Sequence, residues 1–498
     1  MPLQCLIVFA QVHHEFRLPE LSSVAELHGF TVTLPSAPED RDPTRPYMVV
    51  ELAQEEHALI LARRCILVKS VYEFYGQGSD YEELHACTRA NQARWERYIP
   101  DTSFRFLVTA HNHKIPQSRQ RDVVESFSYM ALLGKIDMKD PEILFGCFEE
   151  CVQSRSHELK PSSHISTPSQ TPVEMDCFEA STKVTAGSDK STLAGWYVWL
   201  IGDLWECGVN VLDFQLEEGS ARQLIGTYDV KKRAYYGNTS MEAEISLLMA
   251  NQTLAAPGKL VYDPFMGTGS MAYTTSHFGA LVFGSDIDGR QMRGKGKVPG
   301  VIHAARQYGT EMRIVDLCTF DVTRNPWRCG SLFDAIVTDP PYGVRAGAKR
   351  LGRKKELNEE QLRMTMEFRN SARADDQPYI PPTKPYELSH LAADLVLLAR
   401  YLLKPKGRLV FFLPTVTDEY EELDIHSMLC EGMEVVANSL QDFGSWGRRL
   451  VTLRKTTDRP YPRPSFEQEQ RTEAAHVPAH KDFREKYFQG FKKEDGEA

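Results

Sequence analysis

Three short motifs hold the residue types that binding and altering a nucleoside require: Asp263-Pro264-Phe265-Met266-Gly267-Thr268-Gly269-Ser270, Ser285-Asp286-Ile287-Asp288 and Asp339-Pro340-Pro341-Tyr342-Gly343. Gly267 and Gly269 let the backbone approach a ligand closely, and a following helix offers its N-terminus. Alone, this pattern also fits a dinucleotide fingerprint, because Gly267-x-Gly269-x-x-Ala272 keeps the small-residue spacing. A carboxylate about 20 residues beyond such glycines accepts ribose hydroxyls. Asp286 is that candidate, and it suits NAD and S-adenosylmethionine equally. Asp288 has the simpler reading of a helix cap. Asp321 is a candidate acceptor for an adenine amino group, or else a loop residue ahead of the Asn325-Pro326 turn.

The third motif discriminates. A base amino group is a poor nucleophile because its lone pair is delocalised into the ring. Methylating it requires holding the lone pair in line with the sulfonium methyl. Asp339 and the Pro340 carbonyl offer acceptors for the two N–H bonds, the adjacent prolines stiffen the turn, and Tyr342 offers a flat face for an extruded base. An oxidoreductase would leave this motif unexplained.

Two basic stretches flank these motifs. One holds Arg345, Lys349, Arg350, Arg353, Lys354 and Lys355, and the other is Lys231-Lys232-Arg233. Each is either a set of phosphate contacts or a solvated loop.

Such motifs need strand ends to carry them, and from Trp196 onward short apolar runs alternate with helical segments. Lys259 to Tyr262, Ala280 to Gly284 and Phe333 to Thr338 each lead into one motif; Gly407 to Leu413 and Arg449 to Leu453 complete the set. This alternation predicts an α/β fold with a doubly wound, mostly parallel sheet, whose ligands sit beyond the carboxyl strand ends. Residues 3–12 and Phe104 to Thr109 read as strands, and Arg121 to Leu133 as a helix, of an α+β module over 1–152. Residues 153–193 are rich in Ser, Thr and Pro and read as a low-complexity insertion. The catalytic domain is then expected over 194–455 and a polar tail over 456–498.

The charge balance, 58 Lys and Arg against 68 Asp and Glu for a net charge of -10, speaks against non-specific coating of nucleic acid. Ten cysteines without framework spacing fit free thiols in a reducing compartment. Cys147 and Cys151 suit packing better than zinc, and no metal site is expected. No apolar run approaches the roughly 20 residues of a membrane span. A soluble, cytoplasmic protein is expected.

The motifs resemble the class I methyltransferase fold. Together with FRLPEL at 16–21, VKKRAYYGNTSM at 230–241, ARQYG at 305–309 and FREKYF at 483–488, they resemble the tRNA (guanine-10-N2) methyltransferase catalytic-subunit family over nearly the whole chain. VKKRAYYGNTSM and FREKYF are the specific stretches. The resemblance implies a THUMP-type RNA-binding region ahead of the methyltransferase domain, S-adenosylmethionine as cofactor and tRNA as substrate. It implies that Asp263, Gly267 and Gly269 border the methionine part of the cofactor, that Asp286 binds its ribose and that Asp321 binds its adenine. Asp339 and Tyr342 would take the guanine, and Asn238 and Thr239 would begin a helix over the methionine end.

The same resemblance implies a small zinc-containing activator subunit. Trp196, Tyr197, Trp199 and Trp205, or a strand edge at Ile314 to Phe320, are candidate docking surfaces. The segment 205–219 (WECGVNVLDFQLEEG) reads as a second insertion before the core. The rival readings are a DNA adenine-N6 methyltransferase and a non-catalytic RNA-binding scaffold.

Overall fold

The computed structural model describes residues 2–37, 42, 44–111, 114–152, 206–294, 299–343, 347–353, 358–374, 381–466 and 477–489. The expected insertion at 153–193 and the aromatic cluster from Trp196 to Trp205 lie outside them. The strands in chain order are β1 (Leu3–Phe9), β2 (Tyr47–Leu52), β3 (Val68–Gly78), β4 (Phe104–His111), β5 (Ile143–Val152) and β6 (Glu206–Glu218). They continue with β7 (Leu260–Asp263), β8 (Leu281–Asp286), β9 (Ile314–Thr319), β10 (Phe333–Thr338), β11 (Lys349–Leu351), β12 (Thr383–Pro385), β13 (Leu403–Val416), β14 (Met433–Asp442) and β15 (Trp446–Lys455).

The chain divides into two compact units, residues 1–72 with 216–498, and residues 73–215. The expected module over 1–152 is therefore divided, and β3 carries residues of both units.

The first unit is built on a seven-stranded sheet in the order β14-β15-β13-β10-β7-β8-β9. β7, β8, β9, β10 and β13 pair in parallel, and β15 runs antiparallel between β13 and β14. This is the doubly wound, class I methyltransferase arrangement that the alternating strands and helices imply. Its central strands β7, β10 and β13 are apolar on both faces, as a sheet covered twice requires. Val410 and Phe412 of β13 join one core with Val261, Val337 and the helices Ala243–Gln252 and Ser270–His277. Their neighbours Leu409, Phe411 and Leu413 join a second core with the helix Leu388–Leu402.

The first of these cores also takes in the chain's start: Cys5, Ile7, Leu21, Val24, Ala58 and Leu61 belong to it. Polar bonds fix this union. Glu20 is fully buried and accepts from the Ile66 N–H (2.7 Å), the Leu67 N–H (3.0 Å) and Asn251 Nδ2 (2.7 Å). Burial pushes its carboxyl up to about 7. Arg408, buried on β13, donates to Glu26 at 2.6 Å and to Ser23 Oγ at 2.9 Å.

In the second unit, the end of β3, then β6, β5 and β4 lie side by side. β4 and β5 are parallel, and β5 and β6 antiparallel. Within the stretch expected as an insertion at 205–219, residues Glu206–Glu218 thus form a strand. Leu212 and Phe214 place every second residue in a core with Tyr75, Trp95, Phe127 and Phe145. Cys147 packs in this core, fully buried.

Among the described residues no helix is long and apolar enough to cross a membrane.

Candidate functional site

The sheet order makes the site. The chain passes from β7 to β8 and β9 on one side and then returns to β10 on the other. The carboxyl ends of β7 and β10 therefore border the crevice where ligands settle in open α/β sheets. Asp263 ends β7, Asp286 ends β8, and Asp339 follows β10, so the three acidic positions meet at one sheet end.

Asp263 is completely buried. Its Oδ1 accepts from the Thr338 hydroxyl at 2.8 Å and from the Phe265 N–H at 3.1 Å. Its Oδ2 is buried with no hydrogen-bond partner among the described residues. Burial raises this carboxyl to about 7, and the Asp286 and Asp339 charges add to the rise. The loop after Asp263 turns through Gly267 (φ 52°) and Gly269 (φ 85°), both in the left-handed region that favours glycine. A Cβ on Gly269 would also fall 2.9 Å from Val301 Cγ1.

Asp286 organises this loop. Its Oδ2 accepts from the Gly267 N–H at 2.9 Å and its Oδ1 from the Asp288 N–H at 2.8 Å, and burial raises its carboxyl. A carboxylate has about four acceptor sites, so it retains capacity for ligand hydroxyls. Asp288 is the cap of the helix Gly289–Arg293 and pairs with Arg290 at 2.7 Å, in keeping with its simpler reading. Asp321 is buried and serves the fold on both oxygens. Oδ1 accepts from the N–H and hydroxyl of Thr323, each at 2.8 Å, and Oδ2 accepts from the Leu351 N–H at 2.5 Å. It thereby ties β11 to the end of β9.

Pro340 is buried, while Asp339 and Tyr342 are half-buried at the rim. The Tyr342 ring stands nearly perpendicular to that of Phe483, with centroids 6.4 Å apart. Phe483 begins the helix Phe483–Gln489 and is itself buried against Trp446 at 5.7 Å. Phe483, within the segment expected as a polar tail, thus packs against the turn after β10. The segment's apolar residues Phe483 and Tyr487 were legible, but their distant partners Tyr342 and Trp446 were not.

The basic candidates separate. Lys231 and Lys232 are exposed. Arg233 is a correction: it is buried, donates to Ser270 Oγ at 2.8 Å, and lies over the Tyr273 ring at 4.9 Å. Facing inward, it fastens its segment to the helix Ser270–His277 and presents no charge to a phosphate. Arg350 lies over the Tyr386 ring at 5.5 Å, and exposed Arg353 donates to Thr365 Oγ1 at 3.2 Å. Arg345, Lys354 and Lys355 lie outside the described residues.

Asn238 and Thr239 are exposed in a turn, and the helix expected to begin at them starts instead at Ala243. The turn closes on itself: the Ser240 N–H meets the Gly237 carbonyl at 3.0 Å and Ser240 Oγ accepts from the Gly237 N–H at 2.9 Å. Ser240 Oγ also meets Thr268 Oγ1 at 2.7 Å, which holds the turn against the glycine loop. Ser240, Thr268 and Thr338 make hydrogen bonds at the site, though none of them was singled out as a candidate residue. Each adjoins a candidate in the chain: Thr268 lies between Gly267 and Gly269, Ser240 follows Thr239 and Thr338 precedes Asp339.

Comparisons with known proteins place the chain in a family. Residues 3–170 match the family model described as Tmrp11 THUMP N-terminal domain, and residues 231–374 match the RMKL-like methyltransferase domain. The chain is 32% identical to the tRNA (guanine(10)-N(2))-methyltransferase of Saccharomyces cerevisiae, over 90% of this chain and 92% of that protein. It is 31% identical to the protein of the same name from Schizosaccharomyces pombe, over 97% and 96%. With tRNA (guanine(10)-N(2))-methyltransferase TRMT11 of Homo sapiens it shares 29% identity, over 99% and 98%.

Proposed function

Because the chain belongs to the tRNA (guanine(10)-N(2))-methyltransferase family, we propose that it methylates the exocyclic N2 of guanosine 10 in tRNA, with S-adenosylmethionine as donor. The observation that carries this reading is the pairing of Asp339-Pro340 at the end of β10 with buried Asp263 at the end of β7, joined through Thr338.

The residues present fit the cofactor. The unpartnered Asp263 Oδ2 suits the methionine ammonium, and three converging carboxylates suit a ligand with a sulfonium charge. Gly267 and Gly269 border the methionine, Asp286 takes the ribose and Asp321 lies at the adenine end. When bound, S-adenosylmethionine supplies an electrophilic methyl group. Asp339 and the Pro340 carbonyl accept the two N2 hydrogens of the guanine and fix the nitrogen lone pair in the line of attack. As N2 gains the methyl group its acidity rises, and the Asp339 carboxylate takes the departing proton. Tyr342, braced by Phe483, stacks on the extruded base.

The THUMP-matched N-terminal region supplies contacts with the folded tRNA that a one-base pocket lacks. A small zinc-containing activator docks along β9, the outer strand of the seven-stranded sheet, beside exposed Met312 and Val315. The free thiols of Cys65, Cys318 and Cys430 suit the cytoplasm. The test is methyl transfer from labelled cofactor to tRNA, followed by mass spectrometry of the digested RNA. N2-methylguanosine at position 10 supports the reading; methylation of duplex DNA alone refutes it.

A further inference from the structure

We propose that Arg484 binds the backbone phosphate beside the nucleotide whose base enters the Asp339–Tyr342 pocket, making the C-terminal helix part of the tRNA-binding surface. The inference rests on the methyltransferase reading above.

The geometry begins at Gly343, whose φ of 101° turns the chain just past Tyr342. A Cβ there would fall 3.0 Å from Arg484 Cβ and 3.1 Å from its Cδ, so the arginine stem lies across this glycine. Its Nη1 reaches the neighbourhood of Gly347, 3.8 Å from where a Cβ would stand. Buried Phe483, wedged between Tyr342 and Trp446, fixes the place from which Arg484 departs.

Arg484 is exposed and has no carboxylate partner among the described residues. Its neighbour Lys486 is engaged with Glu419. In a chain of net charge -10, an uncompensated guanidinium at the rim of a base pocket is a site for an anion. An extruded base brings its own flanking phosphates to that rim, and arginine meets phosphate with a planar, two-pronged donor set. Phe488, 63% exposed, lies 6.0 Å from the guanidinium and adds a ring of the kind that RNA surfaces use. Lys349, exposed and two residues beyond Gly347, continues the positive rim.

The test compares the full-length chain with Arg484→Ala and Arg484→Lys, measuring tRNA methylation and tRNA binding over a range of salt. Arg484→Ala is expected to raise KM for tRNA about tenfold, with unchanged cofactor affinity. The slope of log affinity against log salt should flatten by about 0.7–0.9 for one lost phosphate contact. Arg484→Lys should restore that slope. A wild-type KM and salt slope in Arg484→Ala overturn the inference and leave the methyltransferase reading standing. So does a raised KM in Arg484→Ala at an unchanged salt slope, which would mark a packing role on Gly343. A wild-type chain that neither binds nor methylates tRNA overturns both.

Discussion

Thr338 donates its hydroxyl to Asp263 at 2.8 Å, and the next residue in the chain is Asp339. One hydrogen bond therefore joins the proposed cofactor side of the crevice to the proposed substrate side. It also lowers a carboxyl that burial has raised to about 7. A cationic ligand favours ionised Asp263, so cofactor affinity should rise with pH. Between pH 6 and 7.5 the rise should be as much as about 8-fold, below the ~8 at which a free α-amino group titrates. Thr338→Val removes the bond and should move this rising limb to higher pH, while Asp263→Asn should flatten it. Calorimetric titration across that range checks both; a flat wild-type profile would falsify the assignment of Asp263.

Asp339 lies on a different strand end from Asp286, the proposed ribose carboxylate, and the two should part in their effects. Asp339→Ala should lose about two to three orders of magnitude in turnover, by analogy with deleting one preorganised hydrogen-bonding group. Its cofactor affinity should stay close to wild type. Single-turnover kinetics with calorimetry separates the two quantities, and an equal fall in both would remove Asp339 from the substrate side.

Asp286 binds the Gly267 and Asp288 N–H groups as well as the proposed ribose. Asp286→Ala should weaken the cofactor tenfold or more and also lower the melting temperature, because two partly buried donors lose their acceptor. tRNA binding should not change. Unaltered cofactor affinity would assign the ribose to another residue.

Arg233 and Lys231 should behave as opposites despite standing two residues apart. Arg233→Ala breaks the bond to Ser270 and should cost about 1.5–3 kcal/mol of stability. Lys231→Ala should leave stability unchanged and weaken tRNA binding in a salt-dependent way. Urea unfolding and binding at two salt concentrations distinguish them; a stable Arg233→Ala with a reduced salt slope reverses the assignment.

Glu20 joins the chain's start to the methyltransferase sheet. Glu20→Ala strands three buried donors and should destabilise the first unit by about 3 kcal/mol or more. Its carboxyl is raised, from 4.5 to about 7, so the folded state holds the extra proton between those values. The contribution of that proton is full below about 4.5 and is lost as pH rises through about 7. The stability gap between wild type and Glu20→Ala should therefore narrow with rising pH. Deleting residues 1–72 should leave an insoluble chain, since their side chains complete one core of the sheet. A soluble, cofactor-binding chain lacking them would show that the start of the chain is dispensable to the fold.

Local chemistry made some of this legible in the sequence. The strand-ending motifs at Asp263, Asp286 and Asp339 lie next to apolar runs, and alternation of strand and helix dictates a parallel sheet whose ends carry ligands. Those relations span a few residues each and survive in a linear reading. Other features were settled by residues far apart in the chain. Arg233 reads as one more cation beside Lys231 and Lys232 until Ser270 and Tyr273 enclose it. The 205–219 stretch reads as an interruption until β5 supplies its hydrogen bonds. The FREKYF segment reads as a tail until Trp446 and Tyr342 receive Phe483. The union of the chain's start with the sheet was hidden for the same reason: Glu20 meets Asn251, and Ser23 and Glu26 meet Arg408, across hundreds of residues. Burial and pairing at that range depend on the whole sheet being assembled, and only the tertiary structure decides them.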